Sequence, residues 1–329
     1  MLAGLVGIAG PALTEAEAAL FRALPPAGVI LFGRNVVDPG QLQMLTGSLR
    51  SVLPEDGVIA VDQEGGRVAR LRPPGWAAHP PAGAIGALDP SKGRRAAYLT
   101  GALIGAQCAV AGFNLVFAPV LDLRLSGASD VIGDRSFGAD PARVAALGMA
   151  FADGLLAAGV VPVGKHAPGH GRALVDSHLA LPVVPAAADL TDDIAVFAAC
   201  AALPWMMTAH LLYEGLGATL PGTLSPLVIE RVIRGRIGFE GILVSDDLAM
   251  RALAGSPGAL AAAAIAAGCD VAMHCTGALE DSEAVLRAVP PLDGRARARW
   301  DAALALARRR HTPLDPAAMT AERDRLLAC

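Results

Sequence analysis

The sequence is poor in aromatic and charged residues, and neither sign of charge is in large excess. Aromatic side chains make up 4% of the 329 residues and charged side chains 18%, and the formal net charge at pH 7 is −4. Without an extended run of lysine and arginine, the chain lacks the basic surface that binds nucleic acid or an anionic membrane. We therefore expect no nucleic-acid or membrane partner, and a small or oligomeric neutral substrate suits this composition better.

Disulfide frameworks and membrane-spanning runs are also missing. The five cysteines are scattered, without a CxxC pair or a regular spacing, which indicates reduced thiols. No stretch reaches the roughly 18 uninterrupted apolar residues of a membrane span. The amino-terminal "MLAGLVGIAG" has no basic residue before its apolar part, so it predicts a buried strand rather than a secretory signal. A cytoplasmic, monomeric protein is expected.

What the chain has in abundance is hydrophobic residues, at 53%, arranged in short runs. Eight such runs occur, at residues 5–10, 28–32, 57–62, 114–122, 160–166, 203–210, 241–247 and 269–274. They are continuous rather than alternating, as in parallel strands buried on both faces, and alanine-rich segments with Asp or Ser caps lie between them. This pattern predicts the α/β class and a single (β/α)8 TIM-type barrel over residues 1–329, with a doubly wound open sheet as the alternative. A closing helix is predicted at about 292–310.

Polar residues stand where most of these runs end. They are Asp62, Asp122, Lys165 with His166, His210, Asp246 with Asp247, and His274. In a barrel the carboxyl ends of the strands meet at one mouth, where active sites of this architecture lie. Any single one could instead cap a helix or lie in a solvated loop, but their recurrence favours a site. Because strand side chains alternate, only one of Asp246 and Asp247 is expected to face the mouth.

The densest polar segment is "GKHAPGHGRALVDSH", residues 164–178. Its side chains of metal-ligand type are His166, His170, Asp176 and His178. There is no HExxH or His-x-His pattern, however, a Pro-Gly turn separates His166 from the others, and Lys165 would place a positive charge beside a cation. No metal and no cofactor are expected, while a polar loop without chemistry remains an alternative.

Acid–base chemistry is the third interpretation of the segment. Asp176 and His178 are two residues apart, so in an extended chain both point to the same side, where the carboxylate can fix the imidazole tautomer and raise its basicity. Such a pair needs a partner for the covalent half of a reaction, and Asp246 is the natural candidate. Two such groups on either side of one bond are typical of glycoside hydrolysis.

Six segments resemble one known family. They are "GVILFGRNVVDPGQL", "AVDQEGGRVARL", "FAPVLDL", "VIGDRSFGADP", "GKHAPGHGRALVDSHLALPVV" and "GILVSDDLAM", which span residues 28–250. They resemble the bacterial β-N-acetylglucosaminidases of glycoside hydrolase family 3, of the peptidoglycan-recycling type. The resemblance implies a single-domain barrel, retaining chemistry without a cofactor, and removal of terminal β-linked GlcNAc from 1,6-anhydroMurNAc muropeptides in the cytoplasm.

The resemblance also implies residue roles. Asp246 matches the nucleophile, His178 the general acid/base, and Asp176 the residue that orients this histidine. A histidine in that role departs from the usual pair of carboxylates. The positions that match ligand-contacting residues of the family are Asp62, Arg70, Arg135, Lys165 and His166. We assign His170 to the fold of the loop, because glycines on both sides of it imply tight backbone geometry.

One residue departs from the family pattern: Ala167 stands where the family usually has Phe. The packing of the loop and the preference for the leaving group are therefore open. Other functions compatible with the sequence are a β-glucosidase or glycoside phosphorylase of the same family, a metal-dependent hydrolase on a similar barrel, and a sugar-binding protein without catalysis.

Overall fold

The computed structural model describes residues 1–127, 129–173 and 181–328. Its main sheet consists of eight parallel strands. These are β1 (Leu2–Gly7), β2 (Pro26–Leu31), β3 (Val58–Val61), β4 (Leu115–Val116), β5 (Val161–Ala167), β6 (Trp205–Thr208), β7 (Ile242–Val244) and β8 (Ala272–His274). Two small sheets lie outside it, an antiparallel hairpin of Gln63–Gly65 with Val68–Ala69 and a parallel pair of Val183–Val184 with Leu212–Tyr213.

Helices connect the strands and cover the sheet. They are α1 (Glu15–Ala23), α2 (Pro39–Arg50), α3 (Ala82–Gly86), α4 (Pro90–Val110), α5 (Pro141–Ala157), α6 (Thr191–Ala199), α7 (Pro257–Ala267), α8 (Leu279–Ala288), α9 (Gly294–Arg310) and α10 (Pro316–Leu327). A π-helical segment covers Val228–Arg236, and short 3₁₀ turns cover Gly33–Asn35, Gly133–Arg135, Glu214–Leu216 and Gly222–Leu224. Among the described residues, no helix is both long and apolar enough to cross a bilayer.

The strands form a closed barrel whose order follows the chain. The sheet runs β7-β6-β5-β4-β3-β2-β1-β8, and a parallel bridge between Val244 and Val271 joins its two ends. Around the barrel, each strand is followed by a helical segment that leads to the next parallel strand, as a barrel of this class requires. The predicted (β/α)8 fold is confirmed, and the open-sheet alternative is wrong because β7 and the residues before β8 pair with each other.

Each predicted run overlaps one barrel strand. The runs are continuously apolar because both faces of each strand are buried. In β3, for example, Val58 and Ala60 belong to the core inside the barrel, whereas Ile59 and Val61 belong to the core between the sheet and the helices. The first strand begins at Leu2 instead of residue 5, since the Leu2 N–H donates to Pro25 O at 2.7 Å and extends the pairing with β2.

The end of the barrel where the strands begin is closed by α9. Trp300 on this helix is fully buried, its ring centroid lies 5.0 Å from that of Trp205 on β6, and its Nε1–H donates to Asp56 O at 3.0 Å. Asp293 caps the helix by accepting a hydrogen bond from the Ala296 N–H. The helix predicted at about 292–310 is thus observed at Gly294–Arg310, and it leaves the opposite end of the barrel, where the strands finish, open.

Candidate active site

A cavity of about 360 Å³ lies at the ends of the strands. The charged and imidazole side chains that line it are Asp62, Glu64, Arg70, Arg135, Lys165, His166, His170, Asp246 and Asp247. They come from the ends of β3, β5 and β7 and from the loops beside them. This is the face on which enzymes of this architecture carry their active sites, so the cavity is the candidate active site.

Asp62 follows β3 and is held by two cations. Its Oδ1 accepts a hydrogen bond from Lys165 Nζ at 2.9 Å, and its Oδ2 accepts one from Arg70 Nη2 at 3.1 Å. Burial alone would raise the pKa of the Asp62 carboxyl, but the charges of Lys165 and Arg70 outweigh it and hold this pKa well below its usual range. Asp62 is therefore an ionised acceptor at neutral pH.

Glu64 belongs to the same group of charged side chains. We call Asp62, Glu64, Arg70, Arg135 and Lys165 the charged wall of the cavity. Arg135 binds it through two hydrogen bonds of 2.9 Å, and Lys165 Nζ lies 2.7 Å from its Oε1. Burial would raise the pKa of Glu64, but Arg135 and Lys165 lower it to about 2. The two carboxylates also raise the pKa of Lys165 against the opposing effect of burial. The structure thus joins Asp62, Arg70, Arg135 and Lys165, four of the five residues predicted to contact the ligand, in one ion-pair network with Glu64.

Glu64 was missed at the sequence level, although a signal for it exists. In "AVDQEGG" it stands two residues after Asp62, and alternation places both side chains on the same side of an extended segment. The residue between them, Gln63, points away: its Nε2 donates to Leu71 O at 3.0 Å, and its Oε1 accepts from the Arg70 N–H at 2.8 Å. Gln63 thereby fixes the hairpin that carries Arg70.

His166 and His170 are arranged around the buried carboxylate of Asp122. His166 Nδ1 lies 2.7 Å from Asp122 Oδ2, and the His170 N–H donates to Asp122 Oδ1 at 2.7 Å. The two rings lie edge to face with centroids 5.6 Å apart. Burial and the neighbouring His166 lower the pKa of His170 to about 4, which keeps this imidazole neutral at physiological pH. His170 fixes the loop through its backbone, as expected, and its side chain also lines the cavity.

Both acidic residues after β7 reach the cavity, so the expectation that only one would face the mouth is wrong. The strand ends at Val244, and Asp246 and Asp247 lie beyond it, where alternation no longer applies. Asp247 Oδ1 accepts hydrogen bonds from the Ala249 and Cys275 N–H groups, both at 3.0 Å. Burial would raise the pKa of Asp246, but His210, His166 and the Asp247 N–H lower it on balance, whereas burial raises the pKa of Asp247.

Three other polar residues at the ends of the predicted apolar runs do not line the cavity. Asp122 binds the two histidines already described, His274 Nδ1 lies 3.4 Å from Thr276 Oγ1, and His210 bonds to Thr223 and to the backbone of Asp247. Ala167 is also absent from the lining. It is buried in the core between the sheet and the helices, and its oxygen accepts from the Ala209 N–H at 2.9 Å.

Two predicted catalytic residues, Asp176 and His178, lie outside the described residues. The described part of their segment is anchored on the adjacent elements. The Tyr213 hydroxyl donates to Gly169 O at 2.9 Å, and Arg172 Nε donates to Asp193 Oδ2 at 2.6 Å. Within residues 1–127, 129–173 and 181–328, no group of three or more His, Cys, Asp or Glu side chains has a geometry that could hold a metal ion.

Sequence comparison defines the class of protein to which this barrel and cavity belong. The profile described as "Glycosyl hydrolase family 3 N terminal domain" matches residues 5–305. The chain therefore belongs to glycosyl hydrolase family 3 and is a glycoside hydrolase.

Individual relatives agree with this assignment. A β-hexosaminidase of Alkalilimnicola ehrlichii is 41% identical over 298 residues, which cover 88% of this chain and 84% of the relative. The crystal structure of NagZ from Neisseria gonorrhoeae in complex with N-trifluoroacetyl-D-glucosamine has a TM-score of 0.85 at 30% identity and covers 99% of this chain and 97% of the other. A family 3 β-N-acetylglucosaminidase of a Paenibacillus species also has a TM-score of 0.85, at 32% identity, over 98% of this chain and 66% of the other.

Proposed function

We propose that the chain is an exo-acting, retaining β-N-acetylglucosaminidase that removes terminal β-linked GlcNAc from 1,6-anhydroMurNAc muropeptides in the cytoplasm, during recycling of the cell wall. The relatives support N-acetylglucosamine as the sugar that is removed, since one of them is a β-N-acetylglucosaminidase and another was solved in complex with an N-acylated glucosamine. The observation that carries the proposal is the position of Asp246, an ionised carboxylate in the same cavity as the network around Asp62 and Lys165.

The size of the cavity favours removal of a single terminal sugar. Ligand pockets typically range from roughly 300 to 1,000 Å³, and this one, at about 360 Å³, is at the small end. It is bounded on one side by the buried Lys165 and Glu64. One pyranose ring with its substituents suits this volume, whereas a long glycan threaded through it does not.

In the first proposed step, a carboxylate oxygen of Asp246 attacks the anomeric carbon of GlcNAc. The glycosidic C–O bond breaks, its electron pair stays on the departing oxygen, and His178 supplies the proton that this oxygen takes up. The lowered pKa of Asp246 keeps the attacking group ionised. The product of this step is a glycosyl-enzyme ester and a free leaving group.

In the second proposed step, a water molecule attacks the same carbon. Its proton passes to His178, the ester bond to Asp246 breaks, and the carboxylate is restored. Asp176 orients the imidazole in both steps. Two inversions at one carbon retain the β configuration, and phosphate in place of water would give the phosphorolysis of the alternative function.

Recognition of the sugar is assigned to the charged wall. Carboxylates accept from sugar hydroxyls and cations donate to them, so a network of both can fix a polar ring in one orientation. Asp62 and Lys165 already bind each other at 2.9 Å, so both are held in place before a sugar arrives. His166, held by Asp122 at 2.7 Å, is assigned to the same function.

The proposed activity is tested with chromogenic β-glycosides of GlcNAc and of glucose, in a chelating buffer, with and without phosphate. Hydrolysis of the GlcNAc glycoside alone, with free GlcNAc as product, supports the proposal. Preference for the glucoside, a glycosyl phosphate as product, or no turnover of either glycoside would support the β-glucosidase, the phosphorylase or the sugar-binding alternative, respectively.

Removal of the Asp62 carboxylate is expected to weaken transition-state binding. The change Asp62→Ala should lower kcat/KM for GlcNAc glycosides by roughly 10²-fold or more, about 3 kcal/mol, because charge-assisted bonds to the sugar are lost and Arg70 loses its partner. Steady-state kinetics measure the effect, and an unchanged melting temperature excludes unfolding. Near-normal kinetics would place Asp62 outside the sugar site.

Metal removal is expected to have no effect. The sequence contains no recognisable metal-ligand motif, so exhaustive chelation should leave kcat and KM unchanged. The comparison is between chelated enzyme and chelated enzyme given back zinc or another divalent ion. Activity that disappears on chelation and returns with the ion would contradict the mechanism and make ligands of His166, His170 and His178.

A further inference from the structure

Three buried side chains connect the region around β6 to the backbone of Asp246 and Asp247. They are Thr208, His210 and Thr223, and none of them is accessible to solvent. Thr208 is the last residue of β6, His210 follows two residues later, and Thr223 lies in the short turn Gly222–Leu224. We call these three side chains the bracket.

The bracket forms one continuous series of hydrogen bonds. The Asp246 N–H donates to Thr208 Oγ1 at 3.3 Å, and Thr208 Oγ1 lies 2.7 Å from Thr223 Oγ1. Thr223 Oγ1 in turn lies 2.7 Å from His210 Nδ1, and His210 Nε2 lies 2.9 Å from Asp247 O. The series therefore starts at the N–H of Asp246 and ends at the carbonyl of Asp247.

The partners fix the direction of the hydrogen bond at each end of the series. The Asp246 N–H can only donate, so Thr208 Oγ1 accepts from it, and the carbonyl of Asp247 can only accept, so His210 Nε2 donates to it. Thr223 lies between these ends, with its Oγ1 within hydrogen-bond distance of both Thr208 Oγ1 and His210 Nδ1. A longer contact of 3.2 Å joins Thr223 Oγ1 to Ala209 O. Loss of the Thr223 hydroxyl would interrupt the series at its centre and leave two buried polar groups unsatisfied.

The backbone held by the bracket also orients the carboxylate. The Asp247 N–H lies between the Asp246 N–H and the Asp247 carbonyl, which the bracket binds. This Asp247 N–H donates to Asp246 Oδ1 at 2.8 Å. The segment is also tied to the residue that follows β8, because Asp247 Oδ1 accepts a hydrogen bond from the Cys275 N–H at 3.0 Å. Since β7 ends at Val244, no strand ladder fixes Asp246 itself.

We infer that Thr208, Thr223 and His210 are positioning residues that set the angle at which the Asp246 carboxylate meets the anomeric carbon. The inference rests on the proposed role of Asp246 as nucleophile. Thr223 does not line the cavity. We therefore expect it to act on the reaction through the backbone of Asp246. A small error in this angle slows attack without weakening sugar binding, since misplacement by about 1 Å can cost roughly 10²-fold in rate.

The test measures covalent labelling by 2-acetamido-2-deoxy-5-fluoro-β-D-glucosyl fluoride, whose glycosyl-enzyme forms faster than it hydrolyses. Mass spectrometry of the intact protein over time gives the maximal labelling rate and, separately, the concentration of half-saturation. We expect Thr223→Val to lower the maximal rate by about 10-fold or more, with half-saturation unchanged. Thr223→Ser, which keeps the hydroxyl, should recover most of the rate.

Thr100→Val is the matched control. Thr100 lies on α4, it is fully buried, and no described residue hydrogen-bonds to its hydroxyl. This variant should label at the wild-type rate. If Thr223→Val does not fold, Thr208→Val breaks the same series at the neighbouring hydrogen bond. This variant is also expected to lower the maximal labelling rate and to leave the concentration of half-saturation unchanged.

Two outcomes would overturn the inference, and they can be told apart. Equal labelling rates in wild type and Thr223→Val, with the label on Asp246, would show that the bracket does not position the nucleophile, while the proposed function stands. A wild-type protein labelled elsewhere than Asp246, or not labelled at all, would overturn the proposed function, and the role of the bracket with it.

Discussion

Replacement of Asp246 by alanine is expected to abolish turnover of every substrate, the natural muropeptide and activated aryl glycosides alike. A better leaving group cannot compensate, because the glycosyl-enzyme cannot form without the attacking carboxylate. The loss in kcat should exceed roughly 10⁴-fold, as for other residues that form the covalent intermediate. Release of phenol from an aryl GlcNAc glycoside measures the effect with the highest sensitivity.

Asp301→Ala is a suitable control for this variant. Asp301 is a carboxylate on α9, at the closed end of the barrel, and forms an ion pair of 2.9 Å with Arg297. Its removal should leave kcat and KM unchanged. Substantial residual activity in Asp246→Ala, at a melting temperature equal to that of the wild type, would show that another group is the nucleophile, and Asp247 would be the first to examine because it lines the same cavity.

Replacement of His178 by alanine is expected to separate natural from activated substrates. A sugar leaving group needs the proton that His178 supplies, whereas an acidic phenol hardly does. The variant should therefore lose cleavage of the muropeptide and still be glycosylated by an activated aryl glycoside. Rapid mixing should show a burst of one equivalent of phenol, followed by slow turnover, because water then lacks its general base.

Small anions provide the diagnostic measurement for this variant. Azide needs no general base, so it should accelerate the slow phase and yield a glycosyl azide. Asp176→Ala should give a milder form of the same behaviour, since the imidazole remains but loses its orienting carboxylate. His311→Ala, which removes an exposed histidine after α9, is the control. An equal loss on both substrate types in His178→Ala would contradict the assigned role.

The barrel itself could be predicted from the sequence because its signal is repeated. Eight apolar runs, each too short for a buried helix and each followed by a helical segment, leave few other folds open. Closure could not be derived from any single run. It depends on the pairing of Val244 with Val271, between residues about 27 positions apart, and α10 carries no pattern that marks its position on the barrel.

The site was predictable where a residue directly ends a strand, and less so beyond that point. Asp62 directly follows β3, and Lys165 lies in β5. The structure joins the two side chains by a hydrogen bond of 2.9 Å. The position of Asp247 could not be derived, since β7 ends three residues earlier and alternation fails there. Thr223 carries no chemical signal at all in the sequence, and only the fold brings it to His210.

Peptide mass spectrometry of the His178→Ala variant, quenched during the slow phase with an activated aryl GlcNAc glycoside, tests the central claim most directly. In this variant the glycosyl-enzyme should accumulate, because its formation needs no acid and its hydrolysis lacks a base. The account predicts the added mass of one N-acetylhexosaminyl group, located on Asp246. An adduct on any other residue, or a burst of phenol without an adduct, would contradict it.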